Sequence, residues 1–176
     1  FLPNIPGALS RFLELFVNTG VNIIGIASEI RDDSGVVRVT VDTDKKISYI
    51  LTNAGYNVPK DPEATGTIIQ CEGKPRIGIW LMPDNQASGM IEDFVKFLVP
   101  EADALIAQAC QCVADIKPPD WRFEPHLSKA EIHTWLAWQK SPGTPLGSAI
   151  NQKYLDADCQ HAKTLITWLS DLFGDK

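Results

Sequence analysis

Carboxylates that follow predicted strands are the residues whose type and position could do chemistry. Asp42 and Asp44 form an Asp-x-Asp pair where a β-branched strand should end. Asp84, Glu92 and Asp93 lie near the end of a second, strongly apolar strand, where they could ligate a metal ion. The alternative is a helix cap for the first pair, a turn for Asp84, and favourable acidic residues in a helical first turn for the others.

Thiols and imidazoles do not suggest a second reactive system. The four cysteines include no Cys-x-x-Cys pair, and no histidine stands at zinc-ligand spacing from them. Reduced thiols of a cytosolic protein are therefore expected. No serine or cysteine motif surrounds the three histidines, so no nucleophile system is predicted. His133 is expected to pack in the core, and the tryptophans to act as core or interface anchors.

Composition excludes several classes of function. The 176 residues carry a formal net charge of -6 with a pI near 5.0, which argues against a general nucleic-acid coat because phosphate binding needs a basic surface. No apolar run approaches the roughly 18–20 residues that span a bilayer. No charged segment with a cleavage site begins the chain, so no secretion signal is predicted. We expect a cytoplasmic protein without a membrane segment.

The first third of the chain predicts a ferredoxin-like order of strand, helix, strand, strand, helix, strand. A strand-to-helix turn contains Pro6 and Gly7, and apolar residues then recur at helical spacing. Two strands flank a hairpin loop at residues 31–35, and a second helix is closed by Gly55. Residues 56–58 are predicted to form the last strand.

This order, with its turn sequences, resembles an ACT domain, a small regulatory module that binds amino acids. The matching segments are FLPNIPGAL at 1–9, GVNI at 20–23, GVVR at 35–38 and AGY at 54–56. In that family the ligand lies between two modules, which implies Asn4, Gly7, Ala8 and Asn22 as ligand-binding residues here. Amides at a helix N-terminus hold a carboxylate well, and glycine permits close approach. The alternative is that Asn4 caps the helix and Asn22 bonds a neighbouring loop.

The remainder of the chain is predicted to contain two short strands and then mainly helices. The strands are expected at residues 67–71 and 76–82, and the sheet could continue from the first unit. A capping box is predicted at Ser128 and Glu131. Ile132, Trp135, Leu136 and Gln139 should share one side of the helix that follows.

Residues 65–173 resemble the C-terminal part of a bacterial Toprim-related family of unknown function. The segments that match are RIGIWLMPDN at 76–85, GMIEDF at 89–94, KAEIHTWLAWQ at 129–139 and PGTPLG at 142–147. Toprim sites hold Mg²⁺ with a glutamate and an Asp-x-Asp, which implies Asp42 and Asp44 as metal ligands, and Asp84 near a strand end is a further candidate ligand. No glutamate motif of the Toprim kind precedes Asp42, because the ACT-like part occupies that region.

The sequence therefore predicts an α/β protein, with a ferredoxin-like βαββαβ ACT unit at 1–60 and a mixed, mainly helical Toprim-like region at 61–176. The first functional hypothesis is a non-catalytic, regulatory homodimer that binds a small amino acid and needs no cofactor. The alternative is a Mg²⁺-dependent Toprim-like phosphotransfer or nuclease protein. A third hypothesis is a fused or truncated product without activity. Nucleic-acid binding is not expected under the first hypothesis.

Overall fold

The protein is a mixed α/β chain whose fold was obtained as a computed structural model. The structure describes residues 2–3, 5–17, 19–31, 34–41, 47–61, 63–72, 76–123 and 126–174. Within these residues it contains five strands and seven helices. Backbone contacts group the chain into two units, one of Phe1–Asp61 with Thr67–Ile79 and one of Pro62–Gly66 with Trp80–Lys176.

The first unit is built on an antiparallel sheet of three strands in the order β1-β3-β2. These strands are β1 (Leu2–Pro3), β2 (Ile23–Arg31) and β3 (Ser34–Val41). Strand β3 pairs antiparallel with both neighbours, so β1 and β2 run parallel, and helix α1 (Ala8–Val17) connects them. This is a split βαβ arrangement. The predicted hairpin of β2 and β3 is confirmed, with Arg31 opposite Ser34 at its end.

Helix α1 packs through the apolar stripe that its sequence predicts. Phe12 and Phe16 are four residues apart on one helical face, and their rings meet edge to face with centroids 5.4 Å apart. Phe16 is buried with Val21 and with Ile50 of helix α2 (Ile47–Asn53). Phe12 and Phe16 of the predicted stripe thus contribute to the core of this unit, whereas Leu9 at the start of the stripe is 39% exposed.

Helix α2 ends in a Schellman motif, and the strand predicted at residues 56–58 is not formed. Gly55, with φ of +78°, donates its N–H to the Thr52 carbonyl at 2.9 Å, and Tyr56 donates to the Leu51 carbonyl at 2.9 Å. Tyr56 and Leu51 are both buried in one apolar cluster with Ile69. The Tyr56 amide serves the helix end, which explains why residues 56–59 are not in a strand.

Two short strands that follow the turn-rich connector, residues 59–66, form a sheet of their own. They are β4 (Thr67–Ile69) and β5 (Ile77–Ile79), and they pair antiparallel. The expected continuation of the first sheet is wrong for the described residues, because these strands pair only with each other there. The apolar segment of residues 76–82 also ends as a strand earlier than expected, since the N–H of Leu81 donates to the Asn85 side chain at 2.7 Å.

The second unit is helical. Its helices are α3 (Ile91–Phe97), α4 (Ala104–Asp115), α5 (Leu127–Ala137), α6 (Leu146–Asn151) and α7 (Gln160–Phe173). The predicted core face of α5 is confirmed, because Ile132, Trp135 and Leu136 are almost fully buried. They form one apolar cluster with residues of α3, α4, α6 and α7. Helix α6 was not predicted. None of the described helices has the length and apolar character that a membrane crossing requires.

Candidate functional site

The backbone of the turn before α1 is exposed, and the positively charged Arg11 side chain lies beside it. Gly7 is exposed and has φ of +82°, a left-handed conformation that glycine adopts without steric cost. A Cβ atom on Gly7 would have one neighbour within 4 Å, the Arg11 Nη1 atom at 3.9 Å. Ala8 is buried, and its N–H donates to the Ile5 carbonyl at 3.2 Å. The structure thus leaves Gly7 open beside Arg11, a residue that the sequence reasoning missed, whereas the neighbouring Ala8 is buried and its N–H is already bonded.

Asn22 lies at the other end of the sheet from this turn. Leu2 of β1 is opposite Gly35, and Gly35 is opposite Ile30 of β2, so β1 lies level with the last residues of β2. Asn22 is an exposed residue just before β2 begins, about 25 Å from Ile30 at the usual rise per residue of a strand. One copy of the chain therefore does not place Asn22 beside Gly7.

Three residues of the predicted sites lie outside the described part of the chain. They are Asn4 of the ligand turn and the carboxylate pair Asp42 and Asp44. Their predicted roles remain predictions. Within the described residues, no group of three His, Cys, Asp or Glu side chains is arranged to hold a metal ion.

Asp84 is held in a turn by its own backbone. Its Oδ1 atom accepts the Ala87 N–H at 2.8 Å and the Gln86 N–H at 3.1 Å. These two bonds, with a smaller electrostatic contribution from His161, hold the pKa of the Asp84 carboxyl below its ordinary value. The turn that the sequence offered as the alternative reading of Asp84 is present.

Asn85 completes the turn and bonds it to Ala64 in the segment before β4. Its φ is +64°, and its N–H donates to the Leu81 carbonyl at 2.8 Å. The side chain accepts from the Leu81 N–H at 2.7 Å and donates to the Ala64 carbonyl at 3.4 Å. Asn85 is only 8% exposed, so its polar atoms serve the fold and not a ligand.

A pocket of about 180 Å³ lies beside Asp84 in the second unit. Trp80 and Phe94 form apolar walls, while Asp84, Gln160 and Thr164 supply polar atoms. His161 also lines the pocket, and its ring stacks on Phe97 with centroids 4.0 Å apart and planes 13° apart. The sequence analysis assigned His161 no role, because only the tertiary packing brings residue 161 to residue 84.

The chain was compared with models of known protein families. The model of a family described as a protein of unknown function, DUF3226, matches residues 6–174. The chain belongs to the DUF3226 family. The matched range runs through residue 44, so one family description covers most of the two regions, 1–60 and 61–176, for which the sequence suggested separate resemblances. The comparison shows neither an ACT family nor a Toprim family. Comparison with curated proteins gave no match, and comparison with solved structures gave none.

This DUF3226 chain also contains a polar network that connects α3 to α5. Lys96 pairs with Glu131 and donates to the Ser128 hydroxyl at 3.3 Å, and Ser128 in turn donates to Asp93. The predicted capping box is therefore wrong. Helix α5 begins at Leu127, so Ser128 and Glu131 lie inside the helix, three residues apart on one face, and bond to α3 instead.

Glu131 is the buried carboxylate of this network. We therefore expect Lys96→Met to lower the free energy of unfolding of the second unit by about 1–3 kcal/mol. The side chain of Glu131 is 10% exposed and that of Lys96 is 30% exposed. Loss of the cation leaves the Glu131 carboxylate desolvated without its partner, while the partial exposure of Lys96 reduces the cost below that of a fully buried pair. Urea unfolding of the two proteins gives this difference.

The double variant Lys96→Met/Glu131→Gln is the control for this prediction. It removes the unpaired charge, so most of the lost stability should return. An additive loss in the double variant would contradict the role of the charge pair.

Proposed function

We propose that this DUF3226 chain is a non-catalytic regulatory protein that binds a small amino acid through its first unit. The observation that carries the proposal is the open turn at Gly7, with the Arg11 guanidinium beside it. The Ala8 N–H already donates to the Ile5 carbonyl, but the other first amides of an α-helix have no acceptor within the helix, and they attract anions. Together with Arg11 they offer a carboxylate both hydrogen bonds and a positive charge.

The architecture of the first unit supports an ACT-like assignment as part of this proposal. Strands β1 and β2 are parallel, α1 connects them, and β3 lies between them. This is the order that a ferredoxin-like unit requires of its first three strands. The ACT-like turn sequence 1–9 leads into α1 in the same place that the resemblance requires.

The proposed ligand lies between two copies of the chain, as the resemblance implies. Within one copy Asn22 and Gly7 are at opposite ends of the sheet. A second copy in the reversed orientation would bring its Asn22 to the Gly7 turn of the first, where an amide side chain could bond both the ammonium and the carboxylate of an amino acid. We therefore propose a homodimer. All four cysteines are free thiols, which supports the cytoplasm as its compartment.

A thermal melt against the twenty amino acids, with Mg²⁺ and Mn²⁺ in separate wells, tests this function. A ligand at 100 times its Kd adds about 2.7 kcal/mol to a native state that alone binds it. For a chain of this length that corresponds to a rise in Tm of about 5–10 °C. We expect such a rise with one or a few amino acids. Arg11→Ala should weaken the binding by about tenfold or more, since a charge-assisted hydrogen bond is lost.

Arg122→Ala is the matched control, because Arg122 is also an exposed arginine but lies in the second unit. It should leave the amino-acid response unchanged. Sedimentation of Asn22→Ala with and without the responding amino acid then separates ligand binding from dimer formation. Flat traces with every amino acid would contradict the proposal. A response to Mg²⁺ that is lost in Asp42→Asn, without an amino-acid response, would support the Toprim-like alternative instead.

A further inference from the structure

The pocket beside Asp84 is of a size that suits a small molecule. Its volume of about 180 Å³ is well above the roughly 10–15 Å³ that a cavity needs to hold one water molecule. All of its lining residues belong to the second unit. The pocket shares no residue with the Gly7 turn, so an inference about it does not depend on the function proposed above.

The charge of the pocket comes from Asp84. Asp84 supplies the one carboxylate among the lining residues, and no lysine or arginine lines the pocket. His161, which contributes to the lowered pKa of Asp84, is the other titratable group of the lining. The bonds from the Ala87 and Gln86 N–H groups both use Oδ1 of Asp84. An anionic ligand would be repelled, whereas a cation could use the second carboxylate oxygen.

The other lining groups fit a ligand with an apolar body and several donors. Trp80 lies against Trp168, with ring centroids 5.4 Å apart, and Phe94 is buried, so both walls are fixed in place. Gln160 donates through Nε2 to the Thr164 hydroxyl at 3.4 Å, which leaves its carbonyl oxygen as an acceptor. An ammonium group has three donors and no acceptor, and it is attracted to the face of an indole ring.

We propose that this pocket binds a small primary amine, with the ammonium group paired to Asp84 and the apolar body against Trp80 and Phe94. The juxtaposition of a carboxylate, aromatic walls and the Gln160 carbonyl selects a cation with a short apolar body. Benzylammonium has eight non-hydrogen atoms and serves as the probe. Benzyl alcohol has the same shape without the charge.

Titration of the full chain, followed by two-dimensional NMR of the backbone amides of Gln86, Ala87 and Thr164, tests the proposal. Benzylammonium should give saturable shifts with a Kd of about 1 mM, as suits a ligand of this size. Benzyl alcohol should bind at least about tenfold more weakly, and this comparison needs no variant. Equal binding of the two compounds, or an absence of saturable shifts, would overturn the proposal.

Asp84→Asn removes the charge and keeps the turn, because an asparagine side-chain oxygen can accept the same two N–H bonds. It should weaken benzylammonium binding at least about tenfold. Asp156→Asn is the control, since the exposed Asp156 accepts the Asp158 N–H at 2.8 Å in a similar turn but does not line the pocket. It should bind the amine as the unchanged protein does. Unaltered binding in Asp84→Asn would also overturn the proposal.

Arg11→Ala distinguishes this site from the proposed amino-acid site. The substitution should leave benzylammonium binding unchanged, because Arg11 belongs to the first unit. Flat amino-acid melts would contradict the proposed function without affecting the amine titration. An absence of amine binding would likewise leave the amino-acid result unaffected.

Discussion

Replacement of Trp135 by alanine should lower the free energy of unfolding of the second unit by about 3–5 kcal/mol, the range for removing a large aromatic side chain from a core. Trp135 is fully buried in the main apolar cluster of that unit. Its indole N–H also donates to Asp103 at 3.1 Å, and Asp103 caps α4 through its bond from the Leu105 N–H at 2.9 Å. The substitution therefore removes packing and a connection between α5 and the start of α4.

Two further variants separate the contributions to this loss. Trp135→Phe keeps most of the ring volume and removes the N–H donor, so a smaller loss of about 1–2 kcal/mol is expected. Trp138→Ala removes the same side chain from a position that is 40% exposed, and it should cost less than about 1 kcal/mol. Urea unfolding of all four proteins provides the comparison. A similar cost at positions 135 and 138 would contradict the burial pattern.

Gly66→Ala should be the second strongly destabilising substitution, at about 2–5 kcal/mol. Gly66 has φ of +91°, and a Cβ atom there would lie 2.3 Å from Cδ1 and 2.6 Å from Cγ of Trp168. These atoms are at the base of the indole, and the ring packs against Trp80, so the tryptophan cannot move away easily. Backbone strain of about 1–3 kcal/mol adds to an overpacking cost of similar size.

Gly143→Ala is the control that isolates the backbone contribution. Gly143 has φ of +79°, and a Cβ atom there would meet nothing within 4 Å. Its cost should be about 1 kcal/mol, that of the left-handed conformation alone. The difference in Tm between the two variants then reports the contact with Trp168. An equal fall in Tm for Gly66→Ala and Gly143→Ala would show that the contact with Trp168 does not contribute to the loss of stability.

Local patterns predicted much of the fold correctly. The hairpin of β2 and β3 was visible as two β-branched segments around a turn, and the buried face of α5 was visible as residues 132, 135 and 136 at helical spacing. Both depend on periodicity, which a single strand or helix imposes on its own residues. Arg11 could have been found in the same way, because it lies one helical turn after Gly7.

The predictions for α5 were wrong where a side chain could contact either its own helix or a neighbouring one. Ser128 and Glu131 have the spacing of a capping box, but they bond to Lys96 and Asp93 of α3. His133 was expected in the core and is exposed, since the buried side of α5 is the one with Trp135. The spacing of residues along one helix does not show which other element will pack against each of its faces.

The sequence by itself determined the mixed α/β class, the first hairpin and most of the helices. These follow from the properties of each residue and its near neighbours along the chain. Only the tertiary structure decided that Asn22 lies away from Gly7, and that Asp84 and His161 line one pocket. Strand register and helix packing set those distances, and both arise from contacts between residues that are far apart in the chain.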